Sequence, residues 1–154
     1  MAARLKQWAY FVAFLFTALA LGPALAHLFA LPNKITLPEA QYFVAQGVYR
    51  GWAFLGIVVF GALLSTLALA VVLRHDRRPM AWALLAFLCI AGTQAIFWTW
   101  TYPANAATIN WTAVPPNWEG LRAQWEYSHA ASACLNLAAM IALVLSVLSW
   151  KQRT

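Results

Sequence analysis

Apolar residues along this chain fall into four long runs that are separated by short polar segments. The runs cover residues about 8–31, 46–73, 80–102 and 121–150, and each has the roughly 20 residues that a helix needs to cross the hydrocarbon core of a bilayer. The pattern predicts an all-α protein, an integral membrane four-helix bundle that forms a single domain over residues 1–154.

The connecting segments and one proline predict further features. After Pro38, the residues Tyr42, Gln46 and Tyr49 recur at helical spacing, which predicts a short amphipathic helix before the second span. Residues 103–117 are rich in proline and asparagine, so they are expected to be irregular until the last helix begins. Pro23 is expected to kink the first helix and widen the bundle near its end.

The composition places the chain in a membrane. With 64% hydrophobic and only 9% charged residues, it lies far outside the range of soluble globular proteins. The implied partner is the lipid bilayer. Nucleic acid is not a predicted partner despite the formal charge of +6, because the basic residues lie in short segments at the ends of the spans.

The distribution of charge predicts an orientation. The segments before the first span, between the second and third, and after the fourth carry Arg4, Lys6, Arg74, Arg77, Arg78, Lys151 and Arg153 against Asp76. The opposite side balances Lys34, Arg50 and Arg122 against Glu39, Glu119 and Glu126. Because positively charged segments stay in the cytoplasm, both termini are predicted to be cytoplasmic, in a multi-pass protein of the bacterial inner (plasma) membrane.

The first span also resembles a signal peptide, since Arg4 and Lys6 precede an apolar run that ends with Ala24 and Ala26. Cleavage there would move the basic C-terminal residues to the wrong side of the membrane. We therefore expect the first span to be retained.

No metal or cofactor site is predicted. Cys89 and Cys134 lie inside predicted spans without a CxxC spacing, which favours structural apolar cysteines over a disulfide or a redox motif.

Tryptophan is abundant and unevenly placed. The chain has nine tryptophans, and six of them map to the predicted outer side: Trp52, Trp98, Trp100, Trp111, Trp118 and Trp125. Two hypotheses stay open. The tryptophans form an interfacial anchoring belt, or they wall a pocket for a flat or hydrophobic ligand.

The start of the last helix carries the candidate chemistry. Trp118, Arg122, Trp125, Glu126 and His129 recur at helical spacing and can share one face. In the catalytic hypothesis, Glu126 orients His129 as a general base, and Arg122 or Arg50 stabilises a developing anion. The alternative is a helix end whose charges pair with one another and reach toward water.

Other polar residues are expected to complete a cavity with this face. His27 lies near the outer end of the first helix, where it is a hydrogen-bonded interfacial residue, an acid or base, or one of two haem ligands with His129. Gln94 and Asn136 lie about 12 Å below the outer ends of their helices, as interhelical hydrogen-bonding groups or as a cavity floor. Asn105 is expected at the rim.

Several segments together resemble a known family. They are Tyr102 to Asn105, Asn110 to Thr112, Pro116 to Trp118, Arg122, Trp125 to Tyr127 and His129, with Ala26 to Leu28, Leu31-Pro32, Gln46 and Tyr49 to Trp52. The chain resembles bacterial members of a domain-of-unknown-function membrane family that is grouped with fungal anthrone oxygenases. The resemblance implies a small four-helix membrane protein and, for the fungal members, oxygenation of an anthrone to an anthraquinone. Asn105, Trp118, Arg122 and Trp125 match the pattern, whereas fungal members often have asparagine at the position of His129.

Two functional hypotheses follow. In the first, an outward-facing aromatic and polar cavity belongs to an oxidoreductase that acts on a small hydrophobic aromatic, with substrate contacts from His27, Gln46, Tyr49, Arg50, Gln94, Trp98, Asn105, Trp118, Trp125 and Asn136. In the second, the chain is a non-catalytic module that binds a lipid or a quinone, or an accessory subunit of a membrane complex. A homo-oligomer is compatible with either hypothesis.

Overall fold

Four long apolar helices dominate the structure. The computed structural model describes residues 2–151, and the side chains of residues 3–150; Arg153 of the predicted C-terminal basic segment lies outside these residues, as does the side chain of Lys151. The helices that are long and apolar enough to cross a membrane are Ala3–Lys34, Trp52–Val72, Arg77–Ala107 and Trp118–Trp150. The described part of the chain contains no strand. The all-helical prediction with four apolar helices is confirmed.

The elements follow one another with short connections. The α-helices are α1 (Ala2–Lys34), α2 (Glu39–Gln46), α3 (Leu55–Val72), α4 (Arg77–Ile96), α5 (Tyr102–Ala107) and α6 (Trp118–Lys151). Two short 3₁₀ turns, Gly47–Tyr49 and Trp52–Phe54, join α2 to α3, and a π-helical turn, Phe97–Thr101, joins α4 to α5. The short amphipathic helix expected after Pro38 is present as α2, with Tyr42 and Gln46 buried.

The long helices form a four-membered ring in cross-section, in which α1 packs on α3 and α6, and α4 packs on the same two helices. We call the end with residues 35–51 and 108–117 the loop end. The opposite end, where α1 begins, α6 ends and α3 connects to α4, is the terminal end. Lys6 and Asp76 form an ion pair of 2.7 Å there, so the first basic segment and the basic α3–α4 connection share one end of the bundle.

Small side chains let the helices approach closely in the terminal half. The core there contains fully buried alanines from α1, α3, α4 and α6: Ala13, Ala62, Ala83, Ala86, Ala139 and Ala142. Such residues favour association in lipid, where the hydrophobic effect gives helices little reason to pack together. Ser146 fixes the register, since its hydroxyl donates to the Pro79 carbonyl at 2.7 Å and accepts from Tyr10 at 2.8 Å.

The third span is longer than expected. Residues 103–107 were expected to be irregular, and this is wrong, because the helix continues through the π turn into α5 and ends at Ala107. A proline lacks an N–H group and crowds the preceding turn, and the wider π turn before Pro103 accommodates both effects. Gln124 of α6 donates to the Trp100 carbonyl within this turn at 2.7 Å.

The connection after α5 adopts an uncommon conformation. Ile109, Asn110 and Trp111 have consecutive positive φ angles of 49°, 53° and 64°. Non-glycine residues rarely adopt this left-handed region, and such strain persists only where the surroundings fix it. Here the turn directs Trp111 into the loop-end core, where its indole N–H donates to the Asn105 side-chain oxygen at 3.0 Å.

Gly61 lies in a tight contact between α3 and α1, because a Cβ atom there would collide with the ring of Phe16. We expect Gly61→Leu to destabilise the bundle by about 2 kcal/mol through overpacking. Thermal unfolding in detergent measures this as a lower Tm. Gly22→Leu is the control, because Gly22 is exposed and its Cβ would meet open space. Equal Tm values for the two variants would contradict the tight contact.

Candidate functional site

A buried ion pair lies at the centre of the loop end. The Lys34 ammonium at the end of α1 lies 2.8 Å from Glu126 Oε1 on α6. The side chains are 9% and 0% exposed, so both charges are removed from water. Tyr42 of α2 donates to the same carboxylate oxygen at 3.0 Å, and Gln46 donates to the Tyr42 hydroxyl. Two spanning helices and the short α2 helix are thereby joined through one carboxylate.

Aromatic rings surround the Lys34 ammonium. It lies 4.5 Å from the ring centroids of Tyr49 and Trp125, and 5.5 Å from that of Tyr42. It also donates to the Tyr49 hydroxyl at 3.2 Å. The faces of aromatic rings attract cations, and this attraction is larger where water is excluded. The cage therefore offsets part of the cost of burying the lysine.

Tyr42 of α2 and Tyr49 of the following turn are protonated phenols beside the ion pair. Burial raises the pKa of Tyr42, and the nearby Glu126 carboxylate raises it further. Burial also raises the pKa of Tyr49, again with a contribution from Glu126. Tyr42 is thus held as a neutral hydrogen-bond donor to the carboxylate.

Arg122 secures the connection between α1 and α2. Its guanidinium donates to the Leu37 carbonyl at 2.7 Å and lies 4.7 Å from the Trp118 ring centroid. It also lies 5.5 Å from the ring of Tyr42. These contacts attach the segment before α2 to the start of α6.

Below the ion pair, two histidines from the neighbouring helices α1 and α6 stack on one another. The ring centroids of His27 on α1 and His129 on α6 are 4.1 Å apart, with 24° between the ring planes. Trp125 lies 4.2 Å from His129, and Tyr49 lies 4.4 Å from His27. The rings are in direct contact, so this arrangement leaves no space for a haem between them.

The stacked histidines form the head of a cavity of about 350 Å³. All four spanning helices line it, and Pro23 of the first helix is part of its wall. The walls are mostly apolar, and the polar lining residues are His27, Thr93, Gln94, Thr101, His129, Ser132 and Asn136. The size and lining are typical of a site for a small organic molecule.

Counted from the loop end, Asn136 is the deepest polar lining residue of α6, and Gln94 is adjacent to Thr93, the deepest of α4. Gln94 donates to the Thr93 hydroxyl at 3.4 Å, and Asn136 donates to the Ser132 carbonyl at 3.0 Å. Each amide is therefore bonded within its own helix, and the two do not bond to each other.

Five buried polar atoms at this site have no hydrogen-bond partner among the described residues: His27 Nδ1, Gln46 Oε1, Arg122 Nε, Trp125 Nε1 and Glu126 Oε2. Unsatisfied buried groups are uncommon in native proteins and cost about 1–3 kcal/mol each. Of these residues, only His27 also lines the cavity.

The predicted site residues fall into three groups. The cavity is lined by His27, Gln94, Trp98, His129 and Asn136. Gln46, Tyr49, Trp125 and Glu126 lie in or next to the ion-pair cluster. Arg122 and Trp118 pack together, Asn105 holds Trp111, and Arg50 is exposed on the connection after α2.

Glu126 and Arg122 have partners other than His129. Glu126 Oε1 is engaged by Lys34 and Tyr42, and the Arg122 guanidinium is engaged by Leu37, so these two groups do not join His129 in the cavity.

Lys34 and Tyr42 belong to the site but were not among the predicted residues. The sequence indicates these two residues only weakly, through helical spacing. Lys34 lies seven residues, or about two turns, after His27, and Tyr42 lies one turn before Gln46.

No family model, curated protein or solved structure matches this chain.

We expect Glu126→Gln to destabilise the fold by roughly 3 kcal/mol, because Lys34 would stay buried without a countercharge. Thermal unfolding in detergent measures the loss. The double variant Glu126→Gln with Lys34→Met should recover part of it, since no unpaired charge remains. An unchanged Tm for Glu126→Gln alone would show that the pair contributes nothing to stability.

Proposed function

We propose that this chain is a multi-pass protein of the bacterial inner membrane, with both termini cytoplasmic and the loop end outside. The four apolar helices support the membrane assignment. The basic residues near the terminal end and the balanced charge of the loop end support the orientation.

The cavity, in this proposal, binds a small hydrophobic aromatic molecule that carries a hydroxyl or carbonyl group. The observation that carries the proposal is the stacked His27–His129 pair at the head of an apolar cavity of about 350 Å³. Apolar walls suit the ring system of such a molecule, and a few convergent polar groups orient its oxygen. Gln94 and Asn136 supply polar groups at the other end of the cavity.

The proposed reaction is an oxygenation like that of the anthrone oxygenases that the sequence resembles. One imidazole of the pair takes a proton from an activated methylene carbon, and the carbanion adds to O₂ to give a peroxide anion. The imidazolium returns the proton, and the hydroperoxide loses water to leave a ketone. Overall, one CH₂ group and one O₂ give one C=O group and one H₂O, so that O₂ is the oxidant.

The buried Nδ1 atom of His27 and the mostly apolar cavity walls support the role of the pair as a base. Glu126 and Arg122 take a positioning role in this proposal. They hold α2 and the α1–α2 connection over the histidines.

Oxygen uptake with anthrone as the probe tests the reaction. Removing the base, by His27→Ala or His129→Ala, is expected to lower the rate roughly 100-fold or more. His75→Ala is the control, because His75 is exposed in the α3–α4 connection at the other end of the bundle. A protein-free sample corrects for spontaneous oxidation. Uptake at the original rate in both cavity variants would refute the catalytic proposal.

The second candidate function is a non-catalytic module that binds a quinone or a lipid. One observation favours it: the charged groups of α6 nearest the cavity, Glu126 and Arg122, are paired with other protein groups. Saturable binding of a ring ketone without oxygen uptake would assign the chain to this class.

Both candidate functions require the cavity, and Gly56 provides a direct test of it. Gly56 lines the cavity, and a Cβ atom added there would meet open space. Gly56→Phe should fill the cavity and weaken binding of anthraquinone by at least about tenfold, measured as saturable quenching of tryptophan fluorescence. Gly22→Phe is the matched control, because it places the same side chain on an exposed surface. Equal affinities would exclude the cavity as the binding site.

A further inference from the structure

The cavity opens on the sides of the bundle. Three of its lining residues with large side chains are half exposed or more: Leu19 on α1 at 50%, Phe60 on α3 at 59% and Trp98 on the π turn at 60%. All three belong to the spanning helices. Their exposed surfaces therefore lie on the part of the protein that the proposed membrane would surround.

Residues 52–60, which are the second 3₁₀ turn and the start of α3, border the cavity. The residues before Gly61 that line the cavity begin at Trp52 and end at Phe60, whereas Gly61 itself packs tightly against Phe16 of α1. The helix is therefore in close contact with α1 at Gly61 and borders the cavity above it. Ala53 and Gly56 are the small residues among those of this segment that line the cavity.

The loop end, in contrast, is closed. None of the described residues of 35–51 or 108–117 lines the cavity. Between the cavity and these loops lie the stacked histidines and then Trp125, Glu126 and Tyr42, which are 4%, 1% and 0% exposed. Hydrogen bonds and the ion pair with Lys34 fasten this layer.

We propose that the cavity exchanges its ligand sideways with the lipid bilayer, along the flanks of residues 52–60, and that its ligands are therefore ring compounds dissolved in the membrane. This inference rests on the proposed ligand cavity and adds the route and the physical class of the ligand. The opening at half-exposed Phe60 and Trp98 is apolar and admits molecules that partition into lipid. The closed loop end excludes molecules that stay in water.

Covalent labelling of a cysteine inside the cavity tests the route. Gly56→Cys is made in a chain with Cys89→Ala and Cys134→Ala and reconstituted into liposomes. The probe is pyrenyl maleimide, which dissolves in the bilayer, and a sulfonated maleimide serves as the water-soluble counterpart. Each rate is normalised to the rate for the detergent-unfolded protein. We expect pyrenyl maleimide to react at least about tenfold faster than the sulfonated reagent.

Three added substitutions distinguish the two routes. Ala53→Trp narrows the side opening and should slow labelling by pyrenyl maleimide at least about tenfold, whereas Phe60→Ala widens it and should raise the rate. Tyr42→Phe loosens the loop-end layer and should leave the rate unchanged. The proposal is overturned if Tyr42→Phe accelerates labelling while Ala53→Trp and Phe60→Ala have no effect, or if the sulfonated reagent reacts as fast as pyrenyl maleimide.

The result is separate from the test of the proposed function. Labelling reports on access to Gly56→Cys and needs no knowledge of the natural ligand or of turnover. Failure of the anthrone and anthraquinone experiments with side-access labelling intact would reject the proposed function alone. Ligand binding with labelling through the loop end would reject the lateral route alone.

Discussion

The Lys34–Glu126 ion pair is the contact on which the loop end of this protein depends. Removing two charges from water costs several kcal/mol for each ion, and the pair repays this cost only where its geometry is good and its remaining groups are bonded. Here the separation is 2.8 Å, Tyr42 donates to the carboxylate, and Tyr49 and Trp125 flank the ammonium. The pair joins α1 to α6 at the loop end of the bundle.

Different packing interactions stabilise the two halves of the bundle. In the terminal half, alanines bring the helix backbones close, and dispersion contacts fill the interior. In the loop half, histidine, tyrosine and tryptophan rings pack against one another in edge-to-face, tilted and stacked pairs. Large rigid rings leave spaces that smaller side chains do not fill, and the cavity lies at the boundary between the two halves.

The position of the histidines follows from this arrangement. Glu126 and His129 are three residues apart on α6, so they face neighbouring directions on the helix. Glu126 turns toward Lys34 and α2, and His129 turns toward His27 and the cavity. A single helical turn thus separates a structural carboxylate from a candidate base. The strained turn at residues 109–111 adds Trp111 to the same layer and closes it from the side of α5.

The sequence by itself determined the helical class, the four apolar helices and the short helix α2, because hydrophobic run length and helical periodicity are local properties. It also indicated His27, His129, Gln94 and Asn136, since polar residues in apolar runs are conspicuous. Only the tertiary structure decided the partners. Sequence spacing favoured Glu126 with His129 or Arg122, whereas the fold brought Lys34 and Tyr42 to the carboxylate from distant segments. The cavity and its side opening likewise depend on how four helices pack together, which no local pattern encodes.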